Sequence, residues 1–191
     1  DTVFANHSPN VFALMRLFAP LIDGVTIPRV RRCGVYVRNS LRWAVSNSSF
    51  MYGTNDLSIA AYGYGILNEG SAAGTVDSCF FTMLRHGYTN GAGFREPGGT
   101  GVDGYGRPTG TKIVNCMADS CTSAPYDSHT QGLRESFISC TAINSPIAYG
   151  LRGIEHRIED AQAQDCEVVF SIFTEGVGGV FGVKPEHPQC R

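Results

Sequence analysis

From Val25 onward the chain alternates apolar and polar residues, as in VTIPRVRRCGVYVRN (25–39). Successive side chains of a strand point to opposite faces, so a period of two predicts half-buried β-strands. The signature recurs in LRWAVSNSSFMYG, TVDSCFFTMLRHGYTNG, RESFISCTAINSPIAYG and HRIEDAQAQDCEVVFSIF, all short strands between Gly, Asn, Ser and Asp turns. FALMRLFAPLI (12–22) differs, because its apolar residues fall at helical spacing. It predicts a short amphipathic helix or turn that caps one end of a β stack, where an open edge would invite pairing.

The strands repeat. Five segments end on glycine, at Gly70, Gly91, Gly132, Gly153 and Gly176, in steps of 21, 41, 21 and 23 residues. A small polar residue followed by cysteine runs in step with them, at Ser78-Cys79, Asn115-Cys116, Ser139-Cys140 and Asp165-Cys166. A period of roughly 20–25 residues leaves room for two or three brief strands and no helix; leucine-rich repeats need a fixed leucine frame, and propeller blades need about 40–50 residues. The architecture that remains is an all-β, single-stranded right-handed parallel β-helix of about six coils. The expected organisation is one domain over 1–191, with a capping segment at 1–24, coils at 25–176 and an exit tail at 177–191. The doubled step between Gly91 and Gly132 places a loop insertion at 91–110, which holds eight glycines and two prolines. Insertions in solenoids often line the binding face. The start, DTVFANHSPN, has no initiator Met and no basic-then-apolar leader, which suits a piece of a larger chain.

Composition fits this picture. There are 23 glycines and a net charge of −2; the only lysines are Lys112 and Lys184. That balance carries no nucleic-acid footprint, and no apolar run is long enough for a membrane span. Seven cysteines is an odd number. Four occupy equivalent repeat positions, so a ladder of reduced, buried thiols is expected. No cysteine or histidine spacing demands a metal, and no cofactor is indicated; calcium would be the divalent ion to consider.

Aligning the coils on their final glycines stacks Gly65, His86, Asp127, Ala148 and Ser171 in one row. A second row holds Leu67, Tyr88, His129, Gly150 and Phe173, and a third holds Glu69, Asn90, Gln131, Arg152 and Glu175. These rows differ by two residues and share a face. The opposite parity, Ile66, Gly87, Ser128, Tyr149 and Ile172, is more apolar and is expected to face inward. His86 and Asp127 then lie on neighbouring coils within hydrogen-bond reach. A carboxylate beside an imidazole fixes its tautomer and raises its basicity, and an arginine can hold a carboxylate or an enolate-like charge. The candidate catalytic group is therefore His86, Asp127, His129 and Arg85. Glu69, Tyr88, Asn90, Gln131, Arg152, Glu175 and the loop residue Tyr105 are the candidate substrate contacts. This set suits β-elimination on a uronic acid; Asp127 paired with Glu69 or Glu175 would instead suit glycoside hydrolysis. Tyr62 and Tyr64 could stack on sugar rings or pack in the core.

The run GYGIL, DSC, RHGYTNG, NC, YDSHTQG, SC over residues 25–175 resembles the pectate-lyase-like β-helices of bacteriophage tail spikes and tail fibres. In those proteins an Arg-His pair on one coil is followed by Asp-x-His on the next, matched here by Arg85, His86, Asp127 and His129. The resemblance implies a homotrimeric virion tail protein, assembled in the bacterial cytoplasm with other tail proteins. It also implies binding, with or without cleavage, of host surface polysaccharide. The alternatives are a non-catalytic structural appendage or adhesin, and a free bacterial polysaccharide lyase or hydrolase.

Overall fold

The computed structural model describes residues 10–54, 62–90, 108–129 and 132–173, and within them the chain is a right-handed parallel β-helix. The long sheet has seven strands: β1 (Asn10–Met15), β4 (Cys33–Arg38), β7 (Tyr64–Glu69), β10 (His86–Asn90), β13 (Tyr126–Ser128), β16 (Ile147–Arg152) and β19 (Val168–Phe173). The second sheet holds β2 (Leu21–Asp23), β5 (Ala44–Ser46), β8 (Thr75–Asp77), β11 (Lys112–Val114), β14 (Ser136–Ile138) and β17 (Arg157–Glu159). The third holds β3 (Thr26–Ile27), β6 (Ser49–Met51), β9 (Phe80–Thr82), β12 (Met117–Asp119), β15 (Thr141–Ile143) and β18 (Gln162–Gln164). Every pairing is parallel and joins equivalent strands of successive coils.

Residues 10–24 are not the expected helical cap. NVFALM is β1, hydrogen-bonded in register to β4, and LID is β2. The helical spacing of its apolar residues is overridden by the pairing of β1 with β4 and of β2 with β5, so among the described residues the coils already include Asn10. The Gly-rich insertion falls outside the described residues from 91 to 107, as do the first nine residues and the tail.

Corners explain the polar-cysteine mark. Gly24, Asn47, Ser78, Asn115, Ser139 and Asp160 all have φ between 48° and 66° and turn the chain from the second sheet to the third. Gly, Asn and Asp take this left-handed conformation at lower cost than other residues, and Ser takes it here at Ser78 and Ser139. The next residue points inward, which buries Cys79, Cys116 and Cys140 in one column. Asp165-Cys166 belongs to a different corner. It follows the third sheet and is equivalent to Ser120-Cys121. The six described cysteines are free thiols.

The interior is a set of stacked columns. Ile22, Val45, Val76, Ile113 and Phe137 come from the second sheet, and Ile27, Phe50, Phe81, Ala118 and Ala142 from the third. Phe50 and Phe81 stack with centroids 5.4 Å apart. Tyr88, Tyr126 and Tyr149 from the long sheet close the core. Gly65 and Gly87 are required by this packing, since a Cβ on either would lie 2.7 Å from the Phe81 ring.

Candidate functional site

The glycine alignment predicts the fold but misplaces the register of the long sheet. His86 pairs with Tyr64, and Asn90 with Asn68 rather than with Glu69. Asp127 pairs with Thr89 on one side and Gly150 on the other. Two physical causes combine. The glycines are not equivalent: Gly70 has φ 64° and Gly153 φ 113°, whereas Gly132 donates its N–H to the His129 carbonyl. Gly34, Gly65 and Gly87 also interrupt the alternation. Cys33 and Tyr64 lie in the outer cluster, while Val35, Ile66 and Tyr88, two residues on from Cys33, Tyr64 and His86, lie in the core.

The face assignment changes accordingly. Tyr88 and Asn90 are not substrate contacts, because both point into the β-helix and are fully buried. The outer face carries three rows. The first holds Cys33, Tyr64 and His86; the second holds Tyr36, Leu67, Thr89, Asp127 and Gly150; Arg38, Glu69, His129 and Arg152 form the third.

Asp127 is the hub of this face. It is 3% exposed. Thr89 Oγ1 donates to its Oδ2 at 2.8 Å, His129 Nε2 lies 3.0 Å from the same oxygen, and Arg152 Nη2 is 2.9 Å from Oδ1 and 3.1 Å from Oδ2. Burial alone would raise its pKa; the His129 hydrogen bond and the positive groups around it outweigh burial, and the carboxyl stays well below its usual range. A Cβ at Gly150 would lie 2.8 Å from Asp127 Oδ1, so the carboxylate occupies the space that glycine leaves. With Asp127 as acceptor, His129 carries its proton on Nε2 and keeps Nδ1 as the basic nitrogen. The His129 side chain is 37% exposed, so this nitrogen belongs to a group within reach of solvent.

His86 is placed differently from expectation. Its Nδ1 lies 2.5 Å from the Ala124 carbonyl, which can only accept, so Nδ1 carries the proton. The ring packs against Tyr64 at 5.1 Å. Burial pulls its pKa down to about 4, against the opposing field of Asp127, and it is neutral at neutral pH. Its hydrogen bond goes to Ala124, and the imidazole that Asp127 orients is His129. Arg85 stands over the Tyr64 ring at 5.8 Å. Tyr62 stacks on Tyr64 at 5.6 Å, with Arg32 over Tyr62, so the end of the face nearest His86 is aromatic and cationic. Glu69 is buried and accepts a hydrogen bond from Tyr36; burial raises its pKa despite that bond and the nearby Arg38 and Arg32. One strand, β10, lies between it and Asp127, so two strand spacings and a two-residue offset put their Cα atoms roughly 12 Å apart. Gln131, Tyr105 and Glu175 lie outside the described residues. The alignment overlooked Thr89, whose place opposite Asp127 only the true register shows, and separated Arg152 from the carboxylate it binds.

Behind the face runs an interior polar column. Asn90 Oδ1 accepts the His129 backbone N–H at 2.5 Å, and Asn90 Nδ2 donates to Ser128 Oγ at 3.2 Å. Ser128 in turn donates to the Arg152 carbonyl at 2.8 Å. Tyr88 donates to Glu135 Oε1 at 2.7 Å, and the Glu135 N–H donates to His156 Nδ1 at 3.3 Å. The imidazole therefore carries its proton on Nε2, which lies 2.7 Å from the Arg152 carbonyl. His156 thus has no basic nitrogen to offer Ser128.

Glu135 is fully buried, and burial raises its pKa to about 7 against the opposing influence of the polar side chains near it, Asn90 and the hydrogen-bonded Tyr88 foremost. A carboxyl whose pKa is higher in the folded than in the unfolded chain contributes stability below the unfolded value, near 4.5. That contribution is lost as pH rises through about 7. His86, depressed to about 4, has the opposite sign: its cost grows as pH falls below about 6.5. Glu135→Gln, which keeps an acceptor for Tyr88, is therefore expected to be more stable than the parent by about 2–3 kcal/mol near pH 8. The gain should shrink toward zero near pH 4.5. Urea unfolding of both chains at the two pH values checks this.

The fold and this outer-face cluster define a parallel β-helix with a braced carboxylate–imidazole–guanidinium group on its long sheet. No family model matches the sequence, and no curated protein matches it. Among solved structures, the chain is similar in fold to the tailspike protein gp49 from Pseudomonas phage LKA1. The TM-score is 0.56 at 19% identity, over 82% of this chain and 24% of that one. The tail-spike resemblance of the sequence thus holds at the level of the fold, over about a quarter of the tailspike's length. A second structure, the plasmid-mediated fluoroquinolone resistance protein QnrB1, is 15% identical over 78% of this chain and 70% of its own, at a TM-score of 0.20. Among the described residues no helix is long and apolar enough to cross a membrane, and no group of three or more acidic, histidine or cysteine side chains converges as a metal site.

Proposed function

We propose that this chain is a β-helix module of a phage tail spike-type protein that binds host cell-surface polysaccharide on the outer face of its long sheet. It would act in the virion tail, with other copies of itself and other tail proteins as partners. The observation that carries the reading is the half-exposed pair His129 and Arg152, held from below by buried Asp127. Preorganised donors on a face that carries stacked aromatic rings farther along it (Tyr62, Tyr64) are what a chain of sugar rings with their hydroxyls needs. The tailspike fold supports the same reading by analogy. The test is binding of purified bacterial surface polysaccharides. The parent should bind at least one, and His129→Ala and Arg152→Ala should each weaken it about tenfold or more, roughly 1.4 kcal/mol. Equal affinity in all three proteins would remove the site.

Cleavage is the second reading, favoured by the Asp127–His129 pair. Asp127 fixes the tautomer that leaves His129 Nδ1 free to take a proton, while Arg152 and Arg85 supply positive charge for a developing anion. New reducing ends with ultraviolet-absorbing unsaturated uronate would mark a lyase; reducing ends without it would mark a hydrolase. Either activity should vanish in His129→Ala. Binding with no cleavage at any protein concentration would leave the module a pure receptor-binding one.

A further inference from the structure

Asn90 ends β10 with its side chain fully buried inside the β-helix, behind the residues read as sugar contacts. Its Oδ1 accepts the His129 main-chain N–H at 2.5 Å, and its Nδ2 donates to Ser128 Oγ at 3.2 Å. Ser128 Oγ gives its own proton to the Arg152 carbonyl at 2.8 Å. One amide therefore reaches the main chain of His129 directly, and that of Arg152 through a single hydroxyl. The directions are fixed. A peptide N–H only donates, so Oδ1 must face His129; the Ser128 proton is committed to a carbonyl, so the Asn90 nitrogen must supply the other bond. An aspartate of the same shape would put an acceptor where the donor is needed.

His129 needs such a brace. β13 stops at Ser128, so His129 stands one residue beyond the strand, and the acceptor of its N–H is a side chain instead of a strand carbonyl. Its carbonyl accepts the Gly132 N–H at 2.8 Å. Both peptide groups of His129 are thus held, which sets its imidazole 3.0 Å from Asp127 Oδ2. The space for the amide is reserved: a Cβ at Gly132 would lie 2.5 Å from Asn90 Nδ2 and 2.4 Å from Ser128 Oγ. A binding group has to be held to within about 0.5 Å by the residues behind it. Resting on the sugar-binding reading of this face, we propose that Asn90 is its positioning residue, a buried amide that sets the main chain of His129 and Arg152 so that both reach one ligand. It acts through these two residues and touches no sugar itself.

Two variants and a control test this. Asn90→Ala removes the amide. Gly132→Ala keeps Asn90 but pushes a methyl into its space, and it carries the test where Asn90→Ala does not fold. Val45→Ala, in β5 of the second sheet, loosens the core away from the outer face. Nitrogen NMR of the imidazole and hydrogen exchange of the His129 amide read its placement without any sugar. In the parent and in Val45→Ala the ring proton should sit on Nε2, toward Asp127. In Asn90→Ala and Gly132→Ala the ring should become a mixture of tautomers, and the His129 amide should exchange about tenfold faster or more. Affinity for a polysaccharide that the parent binds should fall about tenfold in both variants and hold within about twofold in the control. An unchanged tautomer and amide in the two variants would overturn the proposal. So would the same change in Val45→Ala, or a displaced His129 with parental affinity. A parent that binds no polysaccharide would remove the sugar reading alone, and the NMR comparison would still decide whether Asn90 places His129.

Discussion

Asp127→Ala is expected to lose about 3–5 kcal/mol of stability and the function of the outer face together. The carboxylate is 3% exposed and holds three donors, Thr89, His129 and Arg152. Removing it strands a buried hydroxyl and leaves a guanidinium and an imidazole without their shared acceptor. Because Arg152 and His129 reach solvent they recover part of their hydration, which favours the lower half of that range. At roughly 2–4 °C per kcal/mol for a chain of this size, the melting temperature should fall by about 10 °C. Asp127→Asn keeps the shape and should recover much of the stability, but not the charge that positions Arg152. If Asp127→Ala melts with the parent, the carboxylate is not the hub described.

Phe81→Ala is expected to cost about 3–5 kcal/mol, the usual range for truncating a fully buried aromatic residue. Its ring stacks on Phe50 at 5.4 Å and fills the space above Gly65 and Gly87. The backbone there is tied into the long-sheet ladder on both sides, so the cavity cannot collapse. Denaturant unfolding should show the loss at an unchanged slope. Gly87→Ala approaches the same contact from the other side, since its new Cβ would sit 2.7 Å from the Phe81 ring. A loss under about 1 kcal/mol for Phe81→Ala would mean that the column repacks freely, against the packing described.

The β-helix was legible because a solenoid repeats the same physical problem in each coil. Alternation between strands and small polar corner residues recur at Ser78, Asn115 and Ser139 for one geometric reason, a left-handed backbone. The site was legible in its parts and not in its pairings. Asp127, His129 and Arg152 do converge, yet His86 does not hydrogen-bond to Asp127, because a glycine ruler counts corners whose lengths differ. Strict alternation would put Tyr88 and Asn90 on the outer face; Gly87 breaks it, and their polar atoms find partners inside, on Glu135, Ser128 and the His129 backbone. The N-terminal strand was hidden for another reason. FALM is apolar on both parities, and such a run reads as helix as easily as strand.

The proposed sugar contacts are His129 and Arg152. A crystal of the chain soaked with an oligosaccharide from a polysaccharide that it binds tests this most directly. A sugar ring is expected on the outer face of the long sheet, hydrogen-bonded to His129 or Arg152, with the oligosaccharide reaching toward Tyr62 and Tyr64. An oligosaccharide seated on the second or third sheet, with the Asp127 face open and empty, would contradict it.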